Sequence, residues 1–250
     1  MHIPDMTDLH CHIIPGVDDG AQTIEEMETM FDIAYEDGIR NICATPHYKE
    51  MEFESVEDIE KHNQKVENAF LIAKKHLEAK HPDMNLTLGN EILYHHDIYD
   101  SIKSKRCRKL GDTSYLLMEF LPSTSYFDMD NAVTSIMRKG IRPLIAHVER
   151  YNELLEKPAR VKELKESGAL IQINASSITK FKFGPTAKFI KKLFKNSLVD
   201  VVATDAHSPR NHKPVMHEAY MIIEKKYGEK IARKVFCDKP KKIFDNIKFF

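Results

Sequence analysis

Two rhythms of apolar residues alternate along the chain. Segments with one apolar face, spaced by three and four residues, lead through a glycine or asparagine into short unbroken apolar runs. The first pattern predicts amphipathic helices and the second predicts strands covered on both faces. "TIEEMETMFDIAYEDG" shows it most clearly. Thr23 with Glu26 three residues later predicts a capping box. Ile24, Met27, Met30, Phe31 and Ala34 share one helical face. Gly38 is placed to end the helix, and "IRNICATPH" follows as a strand. The same order returns where "NAVTSIMRKG" precedes "IRPLIAHVER", "VKELKESG" precedes "ALIQINAS", and "FIKKLFKN" precedes "LVDVVATDAH". A long helical pattern runs from about Val56 to His81.

Seven strands are predicted, near Thr7–His10, Asn41–Thr45, Leu86–Ile92, Tyr115–Glu119, Pro143–Ala146, Leu170–Ile173 and Val199–Ala203. Alternating strands and helices predict an α/β fold with a parallel sheet, open or closed. No Pro/Ser/Gly-rich linker divides the 250 residues, so a single domain spanning 1–250 is expected. No GxGxxG follows the first strand, which removes the dinucleotide-binding reading.

The residues that end these strands carry the chemistry. The first strand runs out in His10 and His12, with Asp18 and Asp19 beyond. The second ends in His47, the third carries Glu91, and the fourth ends in Glu119. The fifth ends in His147, Glu149 and Arg150, the sixth in Asn174, and the seventh in Asp205 and His207. Parallel strands deliver their C-terminal ends to one face or edge, where active sites form. In HxH the two imidazoles lie on the same side of an extended segment, with Cys11 on the other, toward the core. Five histidines and at least three carboxylates suit zinc, manganese or iron better than calcium or magnesium alone. The donors are too many for one ion, so two or three divalent ions bridged by carboxylates are expected. Glu149 reads either as a support behind the ligands or as a surface carboxylate. Most of the other eight histidines, His2, His62, His76, His81, His95, His96, His212 and His217, read as surface residues.

Composition narrows the partners. Thirty-seven basic against 38 acidic residues leave a formal charge of -1, so no global basic field argues for nucleic acid. No apolar run is long enough to span a bilayer, and the N-terminus lacks the pattern of a signal peptide. Four scattered cysteines without a CxxC predict no disulfide framework and fit a reducing cytoplasm. No cysteine is followed six residues later by arginine, which excludes the Cys-x5-Arg phosphatase mechanism. "DMD" at 128–130 superficially resembles an aspartyl-phosphate motif, but it reads as a polar loop without a preceding strand.

"DLHCHIIPGVDDG", "ATPHY", "GNEI", "MEF", "IAHVERY", "QINASS" and "ATDAHS" together resemble the polymerase-and-histidinol-phosphatase (PHP) superfamily. Within it they look most like the bacterial protein-tyrosine-phosphatase branch linked to capsule and exopolysaccharide synthesis. The resemblance runs from about Asp8 to beyond Tyr220. It implies a distorted seven-stranded (β/α) TIM-like barrel with a trinuclear site, usually of manganese, with iron and zinc as alternatives. Carried over by position, His10 and His12 bind one ion with Asp205, and Glu91 bridges. Asp19, His47, Glu119, His147 and His207 complete the set, with Asp18 as the alternative to Asp19. Arg150 would hold the substrate phosphate. Relatives carry a second phosphate-contacting arginine where ungapped counting places His212, so Arg210, His212 and Lys213 all stand as candidates.

The implied reaction is hydrolysis of phosphotyrosine by a hydroxide bridging the ions, without a phosphoenzyme. The implied partner is a tyrosine-phosphorylated protein, a bacterial tyrosine kinase with a tyrosine-rich C-terminal tail. The assembly state, monomer or homo-oligomer, is open. Tyr48, Phe53, Tyr126 and Phe127 are candidates to flank the substrate ring, and "KFKFG" at 180–184 is a basic, aromatic loop that could meet an acidic or phosphorylated peptide. The rival readings are a small-molecule phosphatase of the same superfamily, an amidohydrolase on a similar barrel, and a metal-binding scaffold without turnover.

Overall fold

The computed structural model describes residues 3–246. His2 therefore lies outside the described residues. Nine strands are described: β1 Met6–Cys11, β2 Ile39–Ala44, β3 His47–Tyr48, β4 Asn85–Leu88, β5 Glu91–Leu93, β6 Tyr115–Glu119, β7 Arg142–Ile145, β8 Leu170–Asn174 and β9 Val201–Ala203. They form a three-stranded sheet, β1-β2-β4, and a six-stranded sheet, β3-β5-β6-β7-β8-β9. Every pairing is parallel, as alternation with helices requires. The fold is a mixed α/β one with curled parallel sheets.

Burial alternates along the strands. In β6, Tyr115 and Leu117 join an inner cluster with Leu9, Leu144 and Val201, whereas Leu116 and Met118 pack outward under the helices. Both strand faces are thus covered, which accounts for the unbroken apolar runs. Helix Ile24–Glu36 is capped by Thr23, whose hydroxyl accepts from the Glu26 N–H at 3.2 Å. Met27, Met30, Phe31 and Ala34 are buried, but Ile24, in the first turn, is 37% exposed. Gly38 ends the helix at φ +95°, and a Cβ there would come within 2.2 Å of Ile3. Helix Val56–Lys80 follows the long helical pattern.

The third predicted strand, Leu86–Ile92, is two strands. The chain breaks at Gly89 and Asn90, where β4 leaves one sheet and β5 enters the other. A Cβ at Gly89 would lie 3.0 Å from the Lys109 carbonyl oxygen and 3.1 Å from Leu110 Cα. The Asn90 amide donates to the Pro46 carbonyl, and its oxygen accepts from the Arg108 N–H. These bonds pin the bend and bring Glu91 to the start of β5. The short β3 was not predicted, because two residues carry no periodicity. "DMD" also departs from its predicted loop. It lies in helix Tyr126–Arg138, where Ser125 caps and accepts from the Asp128 N–H at 3.2 Å. The S-x-x-D spacing carries that helix start.

The two sheets meet at two seams. At one, Gly89 N–H donates to Ala44 O at 2.8 Å, and Glu91 N–H reaches both Thr45 O and Pro46 O. At the other, the end of β1 meets the segment after β9. His12 N–H donates to Ala206 O and Asp205 N–H donates to His10 O, each at 2.8 Å. Asp8 clamps this second seam. Its buried carboxylate accepts from the Thr204 N–H, the Thr204 hydroxyl and the His10 N–H. Beside it, the register of β1 against β2 shifts between Asp8 and Cys11. Leu9 accordingly lies in the inner cluster and Cys11 in the outer one, although strict alternation would put both on one face. All four cysteines are buried and unpaired. No helix among the described residues is long and apolar enough to cross a membrane.

Asp8→Ala would strand three buried donors at this seam. It is expected to lower stability by about 1–3 kcal/mol in urea unfolding, the penalty of unsatisfied buried polar groups. A change within a few tenths of a kcal/mol would contradict the clamp.

Candidate metal centre

Glu91 is the middle of the site. Its carboxylate is buried and surrounded by four imidazoles. Oε2 lies 3.2 Å from His10 Nε2, 3.3 Å from His12 Nε2 and 3.0 Å from His47 Nδ1, while Oε1 lies 2.7 Å from His147 Nε2. Three sets of donor atoms converge around it: His10, His12, Glu91 and Asp205; His12, Asp19, His47 and His207; and His47, Glu91 and Glu119. Within each set the donor atoms lie within 4.8 Å of one another. Neighbouring sets share His12, His47 or Glu91, so the three positions are contiguous.

Each donor is aimed by a partner behind it. Asp18 Oδ2 lies 2.7 Å from His12 Nδ1 and accepts from the His47 N–H, while Oδ1 accepts from the Gly20 N–H. That leaves His12 Nε2 facing inward, 3.2 Å from His10 Nε2. The geometry therefore separates the two aspartates. Asp18 stands behind His12, and Asp19 Oδ1 reaches the cluster at 3.4 Å from His47 Nε2 and 3.5 Å from His207 Nε2. Gly20 permits this turn, since a Cβ there would come within 2.1 Å of the His12 carbonyl oxygen. His207 Nδ1 donates to the Asp205 carbonyl at 2.8 Å, which frees Nε2. His147 lies outside the three sets. It contacts Glu91 and lies 3.8 Å from Glu119 Oε2.

Gln172 adds a site residue that the expected ligand set does not include. Fully buried in β8, it accepts from the His147 N–H at 2.7 Å and sits 3.4 Å from His10 Nδ1. Its amide donates to Asn174, whose own amide donates to Asp205 Oδ2 at 2.8 Å. Glu149 is buried and accepts from the Asn174 N–H, so it is a support and not a surface carboxylate. A lone glutamine inside the apolar run "ALIQIN" was the available signal.

Arg150 is half-exposed at the mouth, with Nη2 2.5 Å from Asp205 Oδ2. It borders an open cavity of about 530 Å³ with Asp19, His47, His207 and His212. Of the three candidates for a second phosphate contact, His212 lines this mouth, its ring 6.0 Å from that of His207. Arg210 and Lys213 line a neighbouring smaller cavity with Ser176 and Thr179. Of the candidate ring-flanking aromatics, Tyr48 is fully buried and donates to Glu50, so it cannot meet a substrate. Phe53 lines a cavity adjoining Asp19 and His47. Tyr126 carries Arg160 over its ring, and Phe127 is largely exposed. Among the other histidines, His62 and His95 each hold a buried ring nitrogen without a hydrogen-bond partner, which departs from the surface reading.

The electrostatics fit cations. Burial opposes the charged form of Glu91, but the charge of His10, the close approach of His12 and the contact with His147 hold its pKa well below the usual range. Asp205 behaves likewise beside His10 and His12. Asp18 is lowered to about 2, burial being outweighed by His12. Glu119 is raised, by burial and then by the charge of Glu91. Burial opposes charge on His10 and His12 too, yet the carboxylates raise both. The carboxylates thus favour positive charge at this cluster. His47 Nδ1, Glu91 Oε2 and Asp205 Oδ1 are nonetheless buried without a hydrogen-bond partner. Such orphaned donor atoms, all within the three sets, are what bound cations would satisfy.

Residues 6–245 match the family described as "Capsular polysaccharide synthesis, CpsB/CapC". Tyrosine-protein phosphatase CpsB of Streptococcus pneumoniae is 37% identical over 243 residues, covering 95% of this chain and 98% of the relative. Tyrosine-protein phosphatase CpsB of Streptococcus agalactiae serotype III (strain NEM316) is 35% identical over 246 residues, covering 96% and 99%. A crystal structure from work on YwqE of Bacillus subtilis and CpsB of Streptococcus pneumoniae, described as metal-dependent tyrosine phosphatases, superposes with a TM-score of 0.84. It is 27% identical and covers 98% of this chain and 96% of that one. The chain belongs to the CpsB/CapC family.

Adding a divalent cation to metal-free protein in weak buffer is expected to release protons, and metal affinity is expected to rise with pH. The sign follows from the raised pKa values of His10 and His12, which must lose protons to become ligands. Isothermal titration in buffers of different ionisation enthalpy measures it. Affinity independent of pH would contradict the assignment.

Proposed function

We propose that this chain is a metal-dependent protein-tyrosine phosphatase acting on a tyrosine-phosphorylated protein in capsule or exopolysaccharide synthesis. The observation that carries the reading is the three contiguous donor sets, two of them sharing buried Glu91, with the Arg150 guanidinium at their open mouth. Two or three divalent ions, manganese foremost, would be held by His10, His12, Asp19, His47, Glu91, Glu119, His147, Asp205 and His207, with His147 beside Glu91 and Glu119. When bound, such ions lower the pKa of coordinated water and neutralise charge on a phosphoryl group.

The chain's own residues supply the rest. Arg150 can turn from Asp205 to grip two phosphoryl oxygens, since guanidinium suits bidentate contact with phosphate. His212 offers a further donor across the same cavity. A phenolate, with a reference pKa of about 10, leaves more readily than an alkoxide and so asks less of an acid. The open mouth accommodates a side chain presented on a protein. We read the two seams as the joints of a distorted seven-stranded (β/α) barrel in one domain, with β2 and β3 acting as one strand and β4 and β5 as another. The partner is read as a bacterial tyrosine kinase tail, and the unpaired cysteines fit a cytoplasmic setting.

Metal-stripped protein should hydrolyse a tyrosine-phosphorylated peptide only after manganese is restored. Arg150→Ala should lower kcat/KM by about 10²–10³, the loss expected for a donor to developing charge. Steady-state kinetics with histidinol phosphate as comparator measures both. Metal bound without turnover of any phosphate ester would overturn the reading, and preference for histidinol phosphate would reassign the substrate.

A further inference from the structure

The surface past β8 carries a feature that metal-site chemistry does not use. Between residues 167 and 199 the chain has six lysines and no carboxylate side chain, although the whole chain is nearly neutral. Helix Gly184–Lys195 buries Phe189, Ile190, Leu193 and Phe194. Lys188, Lys191, Lys192 and Lys195 recur at spacings of three and four, so they share the outward face. Among the described residues, none of these four, nor Lys180 or Lys182, forms an ion pair. Like charges at this spacing repel.

At the N-terminal end of this basic stripe the loop 181–183 projects two aromatic rings. Phe183 is 89% exposed and Phe181 is 48% exposed, with Lys180 and Lys182 interleaved. Behind them lies a cavity of about 430 Å³ with an apolar floor that includes Ile190, Phe194 and Ile223, rimmed by Lys182, Lys191 and Lys226. A solvated lysine face alone is ordinary surface. Protruding phenylalanines beside uncompensated lysines are the chemistry of an interfacial contact with anionic lipid, where rings enter the headgroup region and lysines meet its negative charge.

We propose that the loop 181–183 and the lysine face of helix Gly184–Lys195 dock this protein on an anionic bilayer surface. The loop follows Asn174, which supports Asp205, by one six-residue helix, so the docked face lies close to the metal cluster in the chain. The occupant is a lipid surface and not an acidic peptide because Phe183 projects outward and does not line a groove.

The test is co-sedimentation of the full chain at low salt with phosphatidylcholine vesicles, pure or mixed equally with phosphatidylglycerol. Binding to the mixed vesicles alone, reversed by salt, is expected. Lys188→Glu, Lys192→Glu and Lys195→Glu combined should lower affinity by about a hundredfold or more, from the attraction of each lysine to an anionic surface. Phe183→Ser should weaken binding at unchanged net charge. Circular dichroism and hydrolysis of a small soluble phosphate ester should be unaltered in these variants, which separates this proposal from the phosphatase reading. Absence of wild-type binding to the mixed vesicles, or equal binding by the charge-reversed variant, would overturn it. Binding of a poly-glutamate peptide without vesicle binding would also overturn it and assign the face to an acidic protein.

Discussion

A buried carboxylate among four imidazoles is the constraint on which the site rests. Glu91 has no water to stabilise its charge, and isolated it would cost several kcal/mol. His10, His12, His47 and His147 converge on it from β1 and the residue just beyond it, from β3 and from the turn after β7. Protons on the imidazoles, or cations between them, are the two ways to balance that charge. The depressed pKa of Glu91 and the raised pKa of His10 and His12 describe the first state. The orphaned atoms of Glu91, His47 and Asp205 show that it is incomplete.

The surrounding fold holds this charge cluster by departing from regularity where the donors sit. The register shift in β1 separates Leu9 from Cys11 beside the two histidines. The break at Gly89 starts β5 on Glu91. His147 and Asp205 adopt positive φ, at 30° and 53°, which residues other than glycine seldom do. Backbone hydrogen bonds from His147 to Gln172 and from Asp205 to His10 hold these turns, so the strain is borne by the second layer of polar contacts. Gln172, Asn174 and Glu149 form one chain that ends on Asp205.

Much of this was legible in the sequence because strands covered on both faces leave unbroken apolar runs, and polar residues at their ends stand out. His10, His12, Glu91, Glu119, Asp205 and His207 stand out in that way, and the fold brings them together. What was illegible depended on contacts between distant segments. The split of Leu86–Ile92 falls at Gly89, where the backbone of Lys109 and Leu110 leaves little room for a Cβ. The division of labour between Asp18 and Asp19 depends on which carboxylate meets His12. Gln172 was hidden because its role lies in two residues far along the chain. Arg210 was a sound electrostatic candidate, but it lines the cavity beside the mouth, and only His212 shares the mouth with Arg150.

Anomalous X-ray diffraction from crystals of the protein grown with manganese tests the central claim most directly. The account predicts at least two adjacent anomalous peaks within ligand distance of the three donor sets, with Glu91 contacting more than one. A lone ion that leaves Glu91 unliganded, or peaks away from these residues, would contradict it.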